Sequence, residues 1–155
     1  MRKNRKPADP EALLKRMAGL CARSEQCTFD ITTKLYKAGL APDKREEIIE
    51  YLSANRYLDD ARFARSFAGY KVRFSAWGKR KIRMALAAKR INSSLISAAL
   101  EAIEDEDYHK ALQKVIEAKL KEIDPSDREQ RAKLYRSLLA RGFESDMISK
   151  ALASL

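Results

Sequence analysis

Residues 82–103 read IRMALAAKRINSSLISAALEAI, and the chain carries the same apolar skeleton three times. Ile82, Leu86, Ile91, Ala99, Leu100 and Ile103 fall on Ile31, Leu35, Leu40, Ile48, Ile49 and Leu52 at a constant offset of 51. They fall again on Leu134, Leu138, Phe143, Ala151, Leu152 and Leu155 at a constant offset of 52. No gap is needed within the 22 residues, and self-similarity at a fixed period is the signature of stacked helical units. Gly39 and Gly142 coincide, each followed by an apolar residue as a helix C-cap glycine should be. The middle copy has Arg90 there, and a left-handed non-glycine residue costs on the order of 1 kcal/mol.

One further amphipathic helix precedes each block, over Glu11 to Ser24, Asp60 to Phe74 and Glu106 to Ile123. In the second of these, Phe63, Phe67, Tyr70 and Phe74 follow i, i+4, i+7, i+11 and read as a core stripe, with Asp59 and Asp60 as N-cap and first-turn acids. Helices follow from Trp77 to Lys89, on Ile82, Ala85, Leu86 and the stem of Lys89, and from Ser94 to Ile103, on Ile96, Ala99, Leu100 and Ile103. Asn92 or Ser93 caps the latter, and Asp124-Pro125-Ser126 breaks the chain. The expectation is an all-α protein of three tandem three-helix repeats forming an elongated, curved array, because one unit of this size has a marginal core. Residues 1–10 form a disordered basic arm; the repeats are 11–56, 57–104 (basic) and 105–155.

The 155 residues carry a net charge of +10 and are 45% hydrophobic, enough for a core, with no apolar run long enough for a membrane-spanning helix. Five Gly and four Pro argue against a protein of many tight turns. The charge is localised: residues 61–100 hold ten of the 32 Lys and Arg and none of the 22 acids, so the rest of the chain balances at 22 of each sign. A solvated face mixes signs, so this segment points to a polyanion or an acidic protein surface. Arg2, Lys3, Arg5 and Lys6 lead to Pro7 with no apolar region after them, which is not a secretory signal. Cys21 and Cys27 lack further zinc ligands and read as free thiols of a cytoplasmic protein.

On a helical wheel Arg62, Arg65 and Arg73 share one stripe, with Gly69 between them, opposite the aromatic one. Lys79, Arg80 and Arg83 flank Leu86 on the next helix, with Lys81 and Arg90 near the edges and Lys71 on the preceding helix. Arginine forks suit phosphate and carboxylate alike. Trp77, between the two basic helices, stacks a base, anchors a partner or staples the helices together. No Asn or Gln stands among the basic residues of the second helix, which argues against base-specific readout. Enzymatic readings fail on inventory. Gly78-Lys79 is no phosphate loop, His109 lacks a nucleophile, and Glu104–Asp107 reads as linker and first helical turn. We therefore assign no catalytic residue, metal or cofactor.

Tyr57-Leu58-Asp59-Asp60-Ala61-Arg62-Phe63-Ala64-Arg65-Ser66-Phe67, followed by Gly78-Lys79-Arg80-Lys81-Ile82-Arg83-Met84-Ala85-Leu86, resembles the central signature of the bacterial RecX regulatory proteins. Cys21-Ala22-Arg23-Ser24-Glu25 is also similar to members of that family, and the likeness covers nearly the whole chain. The resemblance implies three tandem three-helix repeats. It also implies a modulator that lodges in the helical groove of the RecA–single-stranded DNA filament and generally inhibits strand exchange, ATP hydrolysis and co-protease activity. Some members also bind DNA directly, so single- or double-stranded DNA, bound without sequence preference, is the second expected partner of a monomer with no membrane attachment. Arg62, Arg65, Lys79, Arg80 and Arg83 belong to the signature. Arg90 departs from the family's glycine, and Asp30, where Lys81 and Lys133 align, makes the first repeat less basic. A generic DNA-binding protein is the alternative; a scaffold whose acidic and basic units pair end to end is a third reading.

Overall fold

The computed structural model describes residues 6–155, and every regular element among them is helical. The order is α1 (Pro10–Arg23), α2 (Thr28–Lys37), α3 (Pro42–Ala54), α4 (Asp60–Ser75), α5 (Lys79–Ala88), α6 (Ser93–Glu101), α7 (Asp105–Leu120), α8 (Arg128–Ala140) and α9 (Ser145–Ala153). Arg2, Lys3 and Arg5 of the basic arm lie outside the described residues.

The repeat is visible in the backbone. After α2, α5 and α8 the chain turns through a left-handed residue: Gly39 (φ 85°), Arg90 (φ 55°) and Gly142 (φ 97°). In each copy two hydrogen bonds close the helix end. Leu40, Ile91 and Phe143 donate to the carbonyls of Leu35, Leu86 and Leu138 at 3.2, 3.3 and 3.3 Å. Gly39, Arg90 and Gly142 donate to Tyr36, Ala87 and Leu139, each at 2.9 Å. This is the Schellman closure, and its apolar partner residue (Leu40, Ile91, Phe143) is buried in all three copies.

N-termini are capped locally where the sequence provides a cap: Asp9 for α1, Asn92 for α6 and Asp127 for α8. Asp59 Oδ1 accepts from the Arg62 N–H at 3.0 Å in the first turn of α4. Asp60 works at a distance: its Oδ1 accepts from the Thr28 N–H at 2.8 Å, supplying α2 with the cap that Cys27 does not. Glu104–Asp107 opens α7, as the charge run suggested.

The chain divides into two compact units, one ending at Phe63 and the other spanning Ala64–Leu155. The first has a core of Met17, Ile31, Leu35, Leu40, Ile48, Leu52 and Leu58, with Cys21 packed against it and Cys27 buried; the two are not joined in a disulfide. Burial, more than the nearby Glu25 charge, raises the Cys21 pKa. The second unit contains α5–α9 and most of α4, so the second and third helix triplets share one body.

Several expectations are corrected. The helix drawn from Trp77 starts at Lys79, because the Trp77 N–H turns back to the Lys71 carbonyl at 3.0 Å. The helices drawn to Ile103 and Ile123 stop at Glu101 and Leu120, and Leu155, beyond α9, is 47% exposed rather than core. On α4 the aromatic stripe is only partly buried. Phe63 is core, but Tyr70 is 56% and Phe74 69% exposed, while Ala64, Ala68 and Val72 are the residues that face inward. The small side chains at i, i+4, i+8 take the inward face, and the rings of Tyr70 and Phe74 are left outside.

Candidate functional site

Arg62 belongs to the first unit and is held by its own fold. Its Nε donates to Glu25 Oε1 at 2.6 Å, and its Nη2 donates to the carbonyls of Arg56 and Tyr57 at 3.2 and 3.4 Å. The hydrogen bond it donates to the Glu25 carboxylate raises the Arg62 pKa further. Four residues of the signature have structural roles here: Leu58 is buried, Asp59 caps α4, Asp60 caps α2 and Arg62 ties Glu25 to the α3–α4 turn.

The other eight expected site residues lie in the second unit. Arg65, Lys71, Arg73, Lys79, Arg80, Lys81 and Arg83 form no ion pair with a carboxylate among the described residues. Arg73 Nε donates to the Gly69 carbonyl at 3.2 Å, and Arg83 Nη1 to Ser97 Oγ at 3.4 Å. Arg65 and Arg73 line a cavity of about 160 Å³ whose wall also carries Glu104 and Asp107.

The amino end of α5 is occupied from within. The Gly78 N–H donates to the Arg141 carbonyl (2.8 Å), the Lys79 N–H to Tyr108 Oη (2.9 Å) and the Arg80 N–H to the Gly142 carbonyl (3.1 Å). Tyr108 Oη in turn donates to Glu144 Oε2 at 2.6 Å. Burial first, and this bond to a carboxylate second, hold the phenol well above its ordinary pKa. These donors would be a phosphate cradle if they were free. Here they clamp α5 onto the α8–α9 turn and onto Tyr108 of α7, so the backbone donors at the start of α5 are already engaged.

Trp77 staples α4 to α5. Its ring meets Phe67 edge-on at 6.3 Å, and the Lys71 and Lys81 ammoniums each stand 4.4 Å from its centroid. Lys79 sits in the same way 4.8 Å from the Tyr108 ring. Trp77 also lines a groove of about 750 Å³ together with Arg80, Lys81, Met84 and Leu139.

Two residues absent from the sequence-derived site belong beside it. Tyr70 and Phe74, exposed on α4 with ring centroids 5.0 Å apart, form an aromatic pair that brackets Lys71 and Arg73 in the chain. The sequence shows these rings but assigns them to the core; the signal that points outward is the second apolar stripe, Ala64, Ala68 and Val72, on the same helix.

The family models for the second and third three-helix domains of RecX match residues 59–100 and 105–152. The chain is 33% identical to the regulatory protein RecX of Vibrio campbellii over 134 residues, covering 86% of this chain and 85% of the relative. It is 32% identical to that of Xanthomonas citri over 138 residues, covering 89% and 84%. The crystal structure of RecX from Lactobacillus salivarius matches with a TM-score of 0.80 at 22% identity, over 94% of this chain and 96% of that one, which is a likeness of fold. No described helix is long and apolar enough to cross a membrane. With two family models matched over 59–100 and 105–152 and most of its length shared with these relatives, the chain belongs to the RecX family of regulatory proteins.

Proposed function

We propose that this protein acts in the cytoplasm as a monomeric, non-enzymatic regulator of RecA. It binds the RecA–single-stranded DNA filament in its helical groove and inhibits ATP hydrolysis, strand exchange and co-protease activity. Family membership supports the regulatory role. The observation that carries the contact surface is the contrast between Arg62, ion-paired with Glu25, and Arg65, Lys71, Arg73, Lys79, Arg80, Lys81 and Arg83, which share an acid-free segment and have no carboxylate partner among the described residues. Burying several such charges against water is costly unless they meet negative charge, so they remain available to DNA phosphates or acidic protein surface. Contact with more than one filament subunit raises the effective concentration of the second contact and allows inhibition at low ratios.

A titration of filament-stimulated ATP hydrolysis at two salt concentrations tests this. The rate falls as protein is added, and part of the effect survives salt that abolishes binding to free DNA. No change with a matched recombinase sinks the proposal. The exposed Tyr70–Phe74 pair favours a second reading, a non-specific DNA-binding protein without a recombinase target. In that case inhibition disappears together with DNA binding as salt rises, and charge reversal at Arg80 and Arg83 removes all activity.

A further inference from the structure

We propose that the groove between α5 and α8 is a docking site for an acidic amphipathic helix of a protein partner. This inference rests on the regulator reading, to which it adds the surface that touches protein. The apolar lining comes from Trp77, Met84 and Ala85 on one side and Leu139 and Ala140 on the other, and the charged lining from Arg80 and Lys81, with no acid among the lining residues. Met84 is 74% exposed, the most exposed large apolar side chain among the described residues. It sits on a helix that also carries Lys79, Arg80, Lys81 and Arg83, in a segment without a single acid. An exposed, unbranched thioether beside a groove adapts to an apolar side chain inserted from outside. Arg80/Lys81 and Met84/Ala85 lie four residues apart on α5, so charge and apolar surface alternate along the groove at the spacing of a helical partner's turns. Glutamates on such a partner meet Arg80 and Lys81 while its leucines cover Met84 and Leu139.

The same features favour protein over nucleic acid as the occupant. The walls are largely aliphatic and offer no flat face for a base. The one ring, Trp77, already has two ammoniums and the Phe67 edge around it, and the backbone donors of α5 that could hold phosphate are taken by Arg141, Tyr108 and Gly142.

Trp77 is the only tryptophan of the chain, so its fluorescence reports on the groove directly. The full chain is titrated with a designed helical peptide carrying leucine on one face and glutamate on the other. Parallel titrations use the same peptide with lysine for glutamate, and an oligo(dT) strand. The acidic peptide gives a saturable spectral shift and the basic peptide none. Met84→Glu, at an exposed position that leaves the helical circular dichroism unchanged, weakens that binding at least tenfold, and Arg80→Glu weakens it severalfold. Equal response to both peptides, no response to the acidic one, a shift produced only by oligo(dT), or an unchanged affinity in Met84→Glu overturns the proposal. No recombinase is present in this titration, so its failure leaves the ATP hydrolysis result standing, and the reverse also holds.

Discussion

Gly78 and Gly142 lie backbone against backbone. A β-carbon on Gly78 would stand 2.1 Å from the Gly142 carbonyl carbon and 2.2 Å from the Phe143 nitrogen; one on Gly142 would stand 2.5 Å from the Lys81 nitrogen and 2.9 Å from the Gly78 oxygen. The atoms met are main chain, so no rotamer change relieves the clash. Only a pair of glycines allows the amino end of α5 to donate into the α8–α9 turn.

Gly78→Ala is therefore expected to lower stability by about 3 kcal/mol or more, since the clash forces backbone apart and strips the Gly78, Lys79 and Arg80 donors of their acceptors. Gly39→Ala is the control. Gly39 has φ 85° and open space around its missing side chain, so it pays only the left-handed penalty of roughly 1–2 kcal/mol. Urea denaturation of both variants separates the two costs, and equal losses would show that the close approach does not hold the second unit together.

Arg90 occupies the same left-handed turn position as Gly39 and Gly142, at φ 55°. Its backbone hydrogen bonds match those of the two glycine copies, so the strain is the residue's and not the turn's. Arg90→Gly is expected to raise stability by about 0.5–1 kcal/mol, with a higher denaturation midpoint and an unchanged slope. A lower midpoint would mean that the arginine side chain contributes more than the backbone loses.

Periodicity made the repeat legible, because three of its six aligned positions are buried in every copy. Ile31, Ile82 and Leu134, like Leu35, Leu86 and Leu138, are core in all three copies. The same rule failed on α4. That helix carries two apolar stripes, and nothing in the spacing says that Ala64, Ala68 and Val72 go in while Tyr70 and Phe74 stay out. The clamp at α5 was hidden for a different reason. Lys79 meets Tyr108 across 29 residues, and Gly78 meets Arg141 across 63, and contacts between repeats leave no local pattern. Arg62 shows the limit of charge counting, since its carboxylate partner, Glu25, lies 37 residues upstream, outside the acid-free segment.

The exposed rings of Tyr70 and Phe74 offer a face to unpaired bases that a duplex, with its bases stacked, does not use. Tyr70→Ala and Phe74→Ala are each expected to weaken binding to oligo(dT) about tenfold, in line with roughly 1–3 kcal/mol per stacked base, and to leave duplex binding within about twofold. Because both side chains are exposed, denaturation midpoints should move little. Fluorescence anisotropy with labelled single strand and duplex at one fixed salt concentration decides this; parallel losses on both substrates would remove the rings from strand discrimination.

Tyr108 makes the docking of α5 sensitive to alkali. Its hydroxyl must be protonated to donate to Glu144, and the folded state raises its pKa above the ordinary value of 10.0 through burial and that bond. For an acid whose pKa rises on folding, the unfolded chain loses the proton first. The stabilisation is complete below pH 10 and declines as pH climbs from there towards the folded-state value. Tyr108→Phe is expected to cost about 1–2 kcal/mol at neutral pH, because it leaves the Lys79 N–H and Glu144 without their partner. The variant also loses this alkaline component, so the two stability curves converge above pH 10. Urea denaturation from pH 7 to 11 measures both curves, and subtraction removes the titration of lysines and of the other five tyrosines. Curves that stay parallel over the whole range would mean that the Tyr108 proton is not what couples α5 to the α8–α9 turn.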